Sequence, residues 1–393
     1  MELKEISEAH GMPFNDAGWE LLLLQYEDAY WPLTIMGVPE GTVVSPGTPV
    51  ACIVNSDPDF YWLTSFFETL FLRCVWYPST VASTSRYCKR RIKEFMTITG
   101  AAMSTIDFKL HDFGPRGATS GEAAALGGAG HLTQFLGTDN LEAIKYVRTS
   151  YGQQMAGFSI PATEHSTVTC WGPDAERDMY EAFIRRNLGH GKIAACVSDS
   201  YDIWAAIKLW KSLEPVLLEV GGTLVIRPDS GDPVLTPLKV IEDCMREFGF
   251  TTNSKGFKVL PDHIRVIQGD GINEKTLVRI LQRMVDRKLS IDNIAFGMGG
   301  GLLQSCDRDT YGWAMKCSAA CVNGEWRDVY KDPIGGGKTS LKGLVTAETT
   351  VPYEDANIYL MSATAWEGFV CYYRNGTRLP KDSWDTIRER SSV

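Results

Sequence analysis

The sequence predicts a parallel α/β fold over its central half, and three observations carry that expectation. Four apolar, strand-like runs each end in an acid or a glycine cluster and lead into a helical stretch: AACVSDSYD (194–202), TLVIRPDSG (223–231), HIRVIQGDG (263–271) and NIAFGMGGG (293–301). Apolar runs alternating with helical stretches are the cadence of parallel α/β sequences. In such folds the loops after the strands converge on one face, where chemistry collects. Three of the strand ends offer carboxylates, at Asp199, Asp229 and Asp270, and the fourth offers the backbone amides around Gly299 and Gly300.

At 393 residues the chain exceeds the ~250–300 at which single cores stop growing, so more than one structural unit is expected. Its 44% hydrophobic and 22% charged content is that of an ordinary globular protein. A net charge of -9 argues against broad nucleic-acid or acidic-membrane binding, which needs a basic face. The ten cysteines are scattered, and the lone C-x3-C at Cys317 and Cys321 lacks partners for a zinc site. Reduced thiols in a cytoplasmic protein are the expectation. The opening ELKEISEAH is polar, unlike a signal peptide, and no apolar run reaches the ~18 residues needed to cross a bilayer.

In chain order, residues 1–30 read as helical and 33–56 as short β runs punctuated by Gly and Pro. YWLTSFFETLFLR, from Tyr61, reads as an aromatic helix whose stripe belongs to a core. Residues 80–97 read as a separate amphipathic helix, with Arg86, Lys89, Arg90, Arg91 and Lys93 mostly on its solvated face. The expected division is a flanking segment at 1–104, the α/β unit at 105–310, and a β-like segment at 311–393 that returns to the flank.

The polar-glycine stretch from Lys109 to Asn140 puts a strand end at His111 and Asp112, then Phe113 and Arg116 in a turn before a small-residue helix, Ser120 to Phe135. An aromatic and a guanidinium so near a strand end suit a flat ring; the plainer reading is core and surface cap. Asp139 in FLGTD, taken alone, would be a helix N-cap. Glu164 and His165 fall at another strand end, which lifts His165 above the usual structural histidine. In IRPDSGDP, Pro228 limits the backbone between Arg227 and Asp229, suiting a guanidinium to phosphate and a carboxylate to ribose hydroxyls or magnesium. Asp270 lies between Gly269 and Gly271, where ligand atoms can approach the backbone. Gly299 and Gly300 open a helix and form an anion cradle, with Arg308 about two turns on. Together these outline a site for a sugar phosphate with a metal. GGGKTS at 335–340 is not a P-loop, because Asp332 stands where that motif needs glycine; Lys331, Lys338 and Lys342 remain as loop cations for phosphates.

HDFGPRG, FLGTD, PATEHST, VSDSYDI, IRPDSGDP, VIQGDG, FGMGGGLLQ and KDPIGGGKTS, in this order, resemble the nicotinate/nicotinamide phosphoribosyltransferase family over nearly the whole chain. The resemblance implies an incomplete, TIM-like α/β barrel with a flanking β-rich domain built from the N- and C-terminal segments. It implies a homodimer with shared sites, and a pentosyltransferase of NAD salvage. The reaction implied moves the phosphoribosyl group of phosphoribosyl pyrophosphate to nicotinamide, with Mg2+ held mainly by pyrophosphate and water and with ATP as co-substrate. By motif, Phe113 resembles the residue that stacks on the base, Arg116 a diphosphate contact, and Asp139 the acceptor for the carboxamide N–H. His165 resembles the catalytic histidine that touches the diphosphate and is phosphorylated by ATP, and Asp199 a carboxylate that supports the magnesium and histidine region. Arg227 and Asp229 resemble ligands of diphosphate and ribose, Gly269 and Asp270 ribose contacts, and Gly299, Gly300 and Arg308 the 5′-phosphate cradle.

The chain departs from the family pattern by starting late, without a counterpart of the segment whose tyrosine completes the ring sandwich. Pro115 stands where an aromatic is common, Met298 where serine is common, and the loop after Lys331 is shortened. Two alternatives follow: a nicotinate phosphoribosyltransferase, or an inactive, truncated homologue that binds nucleotide or a partner chain. Asp139 argues for the amide base. Two like charges ~4 Å apart at an effective dielectric near 20 repel by about 4 kcal/mol, so nicotinate would be disfavoured.

Overall fold

The computed structural model describes residues 2–26, 30–335, 339–356, 368–379 and 382–392. The chain divides into two compact units, one from residues 1–75 and 311–391 and the other from residues 76–310.

In the larger unit, six strands lie side by side in the order Gly137–Thr138, Leu110–Asp112, Ile294–Met298, Ile264–Gln268, Thr223–Arg227 and Ile193–Val197. Every pairing is parallel. The two edges are joined by an irregular segment: Gly137 bridges Phe158, and Ala162 bridges Ala195. Thr138 N–H donates to Phe158 O at 2.9 Å, and Ala195 N–H to Pro161 O at 2.9 Å. The sheet therefore curls into an incomplete α/β barrel. The four runs that announced it in sequence are also consecutive in space.

These strands are nearly continuous apolar runs because both faces are buried. Leu224, Ile226, Ile264, Val266, Ile294 and Phe296 pack outward in the main core with the helices. Ala195, Val225 and Ile267 form a small inner cluster with Ala295, Ile160 and Phe113. The helix Glu274–Asp286 illustrates how the outer layer is fixed. Asn273 accepts the N–H groups of Lys275 and Thr276, while the Thr276 hydroxyl accepts the N–H of Asn273, a capping box. Leu277, Ile280, Leu281 and Met284 form its buried stripe. Burying each such side chain stabilises by roughly 1.5–3 kcal/mol.

The helical stretches expected near residues 61–71 and 80–97 are arranged differently. A short helix, Leu63–Phe66, precedes one 32-residue helix, Glu68–Thr99, which runs through Pro78. Proline lacks only one N–H, and the buried stripe from Thr80 to Thr99 holds the following turns against the core. Residues 76–104, assigned by the sequence to the flank, cluster with the barrel. Within the basic cluster, Lys89 donates to the Asp107 carboxylate and to Gln134 O.

In the smaller unit, both ends of the chain build one antiparallel sheet, ordered Thr377–Arg378, Val370–Arg374, Leu33–Gly37 and Ala51–Asn55. Trp19 lies 5.0 Å from Trp62 and 5.1 Å from Phe66, with Phe60 and Leu63 buried beside them. Among the described residues, no helix is long and apolar enough to cross a membrane.

Candidate functional site

The strand ends of the barrel enclose a cavity of about 450 Å³, walled by Phe113, Arg116, Arg227, Asp229, Gly269, Asp270 and the run Gly299–Gly301. That volume falls within the ~300–1,000 Å³ of ordinary small-molecule sites.

The turn carrying Phe113 and Arg116 is tied down on several sides. Phe113 N–H donates to Met298 O at 3.0 Å, Gly114 N–H to Asp112 Oδ1 at 2.8 Å, and Gln304 Nε2 to Gly114 O at 3.3 Å. Asp112 is fully buried, and its other oxygen accepts from Asn140 Nδ2 at 2.9 Å. Burial pushes its carboxyl up to about 6, although the Asn140 and Gly114 hydrogen bonds oppose the rise. The Phe113 ring lies directly over a glycine: a Cβ on Gly297 would sit 2.1 Å from its Cε2 atom. Only a residue without a side chain lets the ring settle there. The Arg227 guanidinium stands 5.5 Å from the ring centroid.

Arg227 also donates through Nε and Nη2 to Asp229 Oδ1, at 3.2 and 2.7 Å. Asp229 in turn anchors a second layer. Its N–H and the Ser230 hydroxyl donate to Asp199 Oδ2, at 2.9 and 2.6 Å, and His165 Nε2 lies 3.1 Å from Asp199 Oδ1. His165 Nδ1 is 3.9 Å from Asp229 Oδ2. Burial alone would raise the Asp199 carboxyl, yet the Ser230, Asp229 and His165 contacts hold it below its ordinary value. The imidazole is 44% exposed, so a reagent can reach it. On the adjoining wall, Gln268 Nε2 donates to Asp270 O at 2.9 Å and shapes the Gly269–Gly271 turn. A Cβ on Gly301 would meet Ile272 O at 2.5 Å, so the glycine run can press against that turn.

Asp139 stands at the next strand end rather than on the cavity wall. It does not cap the following helix, because Asn140 does so by accepting Ala143 N–H. Its Oδ1 accepts the Ser159 hydroxyl, and its charge opposes the burial that lowers the neighbouring His111. His111 is buried and donates through Nε2 to Phe108 O at 3.0 Å.

Eight of the residues picked out in sequence thus share one cavity, with Asp199 and His165 attached through Asp229. Arg308 is not on the wall; it pairs with Asp309 at 2.8 Å. Lys331 and Lys342 belong to the other unit, where Lys342 pairs with Asp328 at 3.3 Å and Lys331 N–H donates to Ser340 Oγ. Lys338 lies outside the described residues. Among the described residues, no group of three or more His, Cys, Asp or Glu is placed to hold a metal ion. Sequence reasoning missed Gln304, Asn273, Ser230 and Ser159. The position of Gln304, one turn beyond Gly300, was a usable signal, whereas the two serines look like any loop hydroxyl.

The pattern of the nicotinate phosphoribosyltransferase (NAPRTase) family matches residues 108–357. The chain is 44% identical to a nicotinamide phosphoribosyltransferase of Xanthomonas campestris pv. campestris, covering all of this chain and 85% of that one. It is 33% identical to a nicotinamide phosphoribosyltransferase of Acinetobacter baylyi, covering 92% of this chain and 76% of that one. The crystal structure of human nicotinic acid phosphoribosyltransferase aligns with a TM-score of 0.49 at 17% identity, over 96% of this chain and 82% of that chain.

Proposed function

Because this chain belongs to the nicotinate phosphoribosyltransferase family, we propose that it makes nicotinamide mononucleotide and pyrophosphate from nicotinamide and phosphoribosyl pyrophosphate, a step of NAD salvage. The observation that carries this reading is the single cavity on which the acids Asp229 and Asp270, the guanidinium groups of Arg116 and Arg227, and the Gly299–Gly301 run meet. Those are the groups a doubly phosphorylated pentose requires.

Breaking the bond from ribose C1 to pyrophosphate develops oxocarbenium character at the sugar. The site must therefore hold reactants in line and neutralise the leaving diphosphate, more than supply a strong nucleophile. Arg116 and Arg227 bind the diphosphate, Asp229 and Asp270 take the ribose hydroxyls, and Gly299 and Gly300 receive the 5′-phosphate. Phe113 stacks on the base, and its ring face also favours the pyridinium formed when the ring nitrogen bonds to C1. Mg2+ would arrive with the diphosphate and neutralise its charge; Asp229 and Asp270 are the cavity acids that would meet it, directly or through water.

Asp139 accepts from the carboxamide NH2 and repels the carboxylate of nicotinate. It is exposed in the single chain, so solvent screening holds the repulsion below about 4 kcal/mol. A second protomer beside it, in a homodimer with shared sites, would raise the effect by excluding water. ATP is the expected co-substrate, phosphorylating His165, whose two ring nitrogens face the acids Asp199 and Asp229.

The test is turnover. Purified protein with nicotinamide, phosphoribosyl pyrophosphate and Mg2+ should release mononucleotide and pyrophosphate in equal amounts. Binding of the sugar phosphate with no product would instead favour the inactive homologue.

A further inference from the structure

The Asp139 carboxylate has two oxygens, and one of them is already taken. Ser159 Oγ donates to Oδ1 at 2.5 Å. Both ends of this contact are set by backbone. Asp139 N–H donates to Asp112 O at 3.0 Å, which fixes the strand end against its neighbour. On the other side, Phe158 N–H donates to Leu136 O at 2.7 Å and Phe158 O accepts from Thr138 N–H at 2.9 Å. Gly137 and Phe158 therefore pair in parallel, Ser159 falls opposite Thr138, and its hydroxyl reaches one residue along to the acid. The helix that follows does not compete for the carboxylate, since Asn140 serves as its cap.

We propose that Ser159 is a specificity-setting positioning residue: by holding Oδ1 of Asp139 it turns Oδ2 toward the amide of the bound base. The inference rests on the reading of Asp139 as the base acceptor given above. An exposed carboxylate without such a tether rotates freely about its last bond, and water competes for both oxygens. Ordering it before the base arrives removes an entropic cost from binding. The same tether keeps negative charge where the carboxylate of nicotinate would sit. Losing the hydroxyl thus weakens the bond to nicotinamide and relaxes the repulsion of nicotinate, and both changes move selectivity in one direction. A serine that only braced the loop would lower turnover of the two bases together.

The experiment compares kcat/KM for nicotinamide and for nicotinate in the parent protein and in Ser159→Ala, Ser159→Thr and Asp139→Asn. Ser159→Ala should lower the nicotinamide-to-nicotinate ratio by about three- to tenfold, mainly through KM for nicotinamide. Ser159→Thr, which keeps the hydroxyl, should restore most of the ratio, and Asp139→Asn should lower it further. A ratio unchanged in Ser159→Ala while Asp139→Asn reduces it overturns the role of Ser159 alone. An unchanged ratio in Asp139→Asn overturns the reading of Asp139 as base acceptor, and this inference with it.

Discussion

The backbone N–H of Asp229 donates to Oδ2 of Asp199 at 2.9 Å, so two adjacent strand ends are joined through one carboxylate oxygen. The loop presenting Asp229, the acid proposed to take the ribose, thus takes its position from a residue that lies one layer behind the cavity. Asp199→Asn swaps that acceptor for an amide, which cannot accept from Ser230, Asp229 and His165 all at once. Losing a hydrogen bond to a charged group costs about 1.5–3 kcal/mol, so KM for phosphoribosyl pyrophosphate should rise about ten- to hundredfold. The folded Asp199 carboxyl lies below its ordinary value of 3.8. Its contribution to stability is therefore complete above that value and lost as pH falls through the folded one. Melting temperatures of parent and variant should converge on acidification.

Asp112 predicts the opposite slope. Its carboxyl is raised from 3.8 to about 6, chiefly by burial. The folded protein then binds more protons than the unfolded chain between those values, and stability falls as pH rises through them. Above about 6 the cost of the buried charge is fully present. Asp112→Asn should lack this slope, so the parent should lose stability relative to the variant as pH climbs from about 4 to about 7. A constant difference across that range would contradict the assignment.

Gly297→Ala puts a methyl group where the Phe113 ring now lies. Overpacking of this kind costs roughly 1–3 kcal/mol. The ring rather than the strand should yield, because the strand is paired on both sides. The expected signature is a higher KM for nicotinamide, about tenfold, with affinity for phosphoribosyl pyrophosphate much less affected. Equal loss for both substrates would mean that the strand itself had moved.

His165→Ala should retain much of the ATP-free transfer and lose the response to ATP. The imidazole is exposed and lies between Asp199 and Asp229, and the proposed phosphorylation by ATP would act on it there. An equal ATP stimulation of parent and variant would rule out that role.

The barrel was legible because its strands are buried on both faces and therefore apolar throughout, and because proline and glycine mark where each one ends. Val225 and Ile226 point to opposite cores, yet both read as strand. The long helix was less legible, since Pro78 and the aromatic run before it look like a break. Only packing against the core shows that the helix continues. At the site, acids, guanidinium groups and glycines were visible because few other roles call for them at strand ends. Ser159 and Ser230 escaped because their importance lies in which carboxylate oxygen each reaches, a property of three-dimensional register. Arg308, which chain spacing placed near Gly300, pairs through its guanidinium with Asp309 and is not on the cavity wall.

The decisive measurement for the sugar-phosphate site is a crystal structure with phosphoribosyl pyrophosphate and Mg2+ bound. The expected density puts the 5′-phosphate within hydrogen-bond reach of Gly299 and Gly300, the ribose hydroxyls on Asp229 and Asp270, and the diphosphate on Arg227. A sugar phosphate bound away from these residues, or one touching Asp229 without Asp270 and the glycine run, would contradict it.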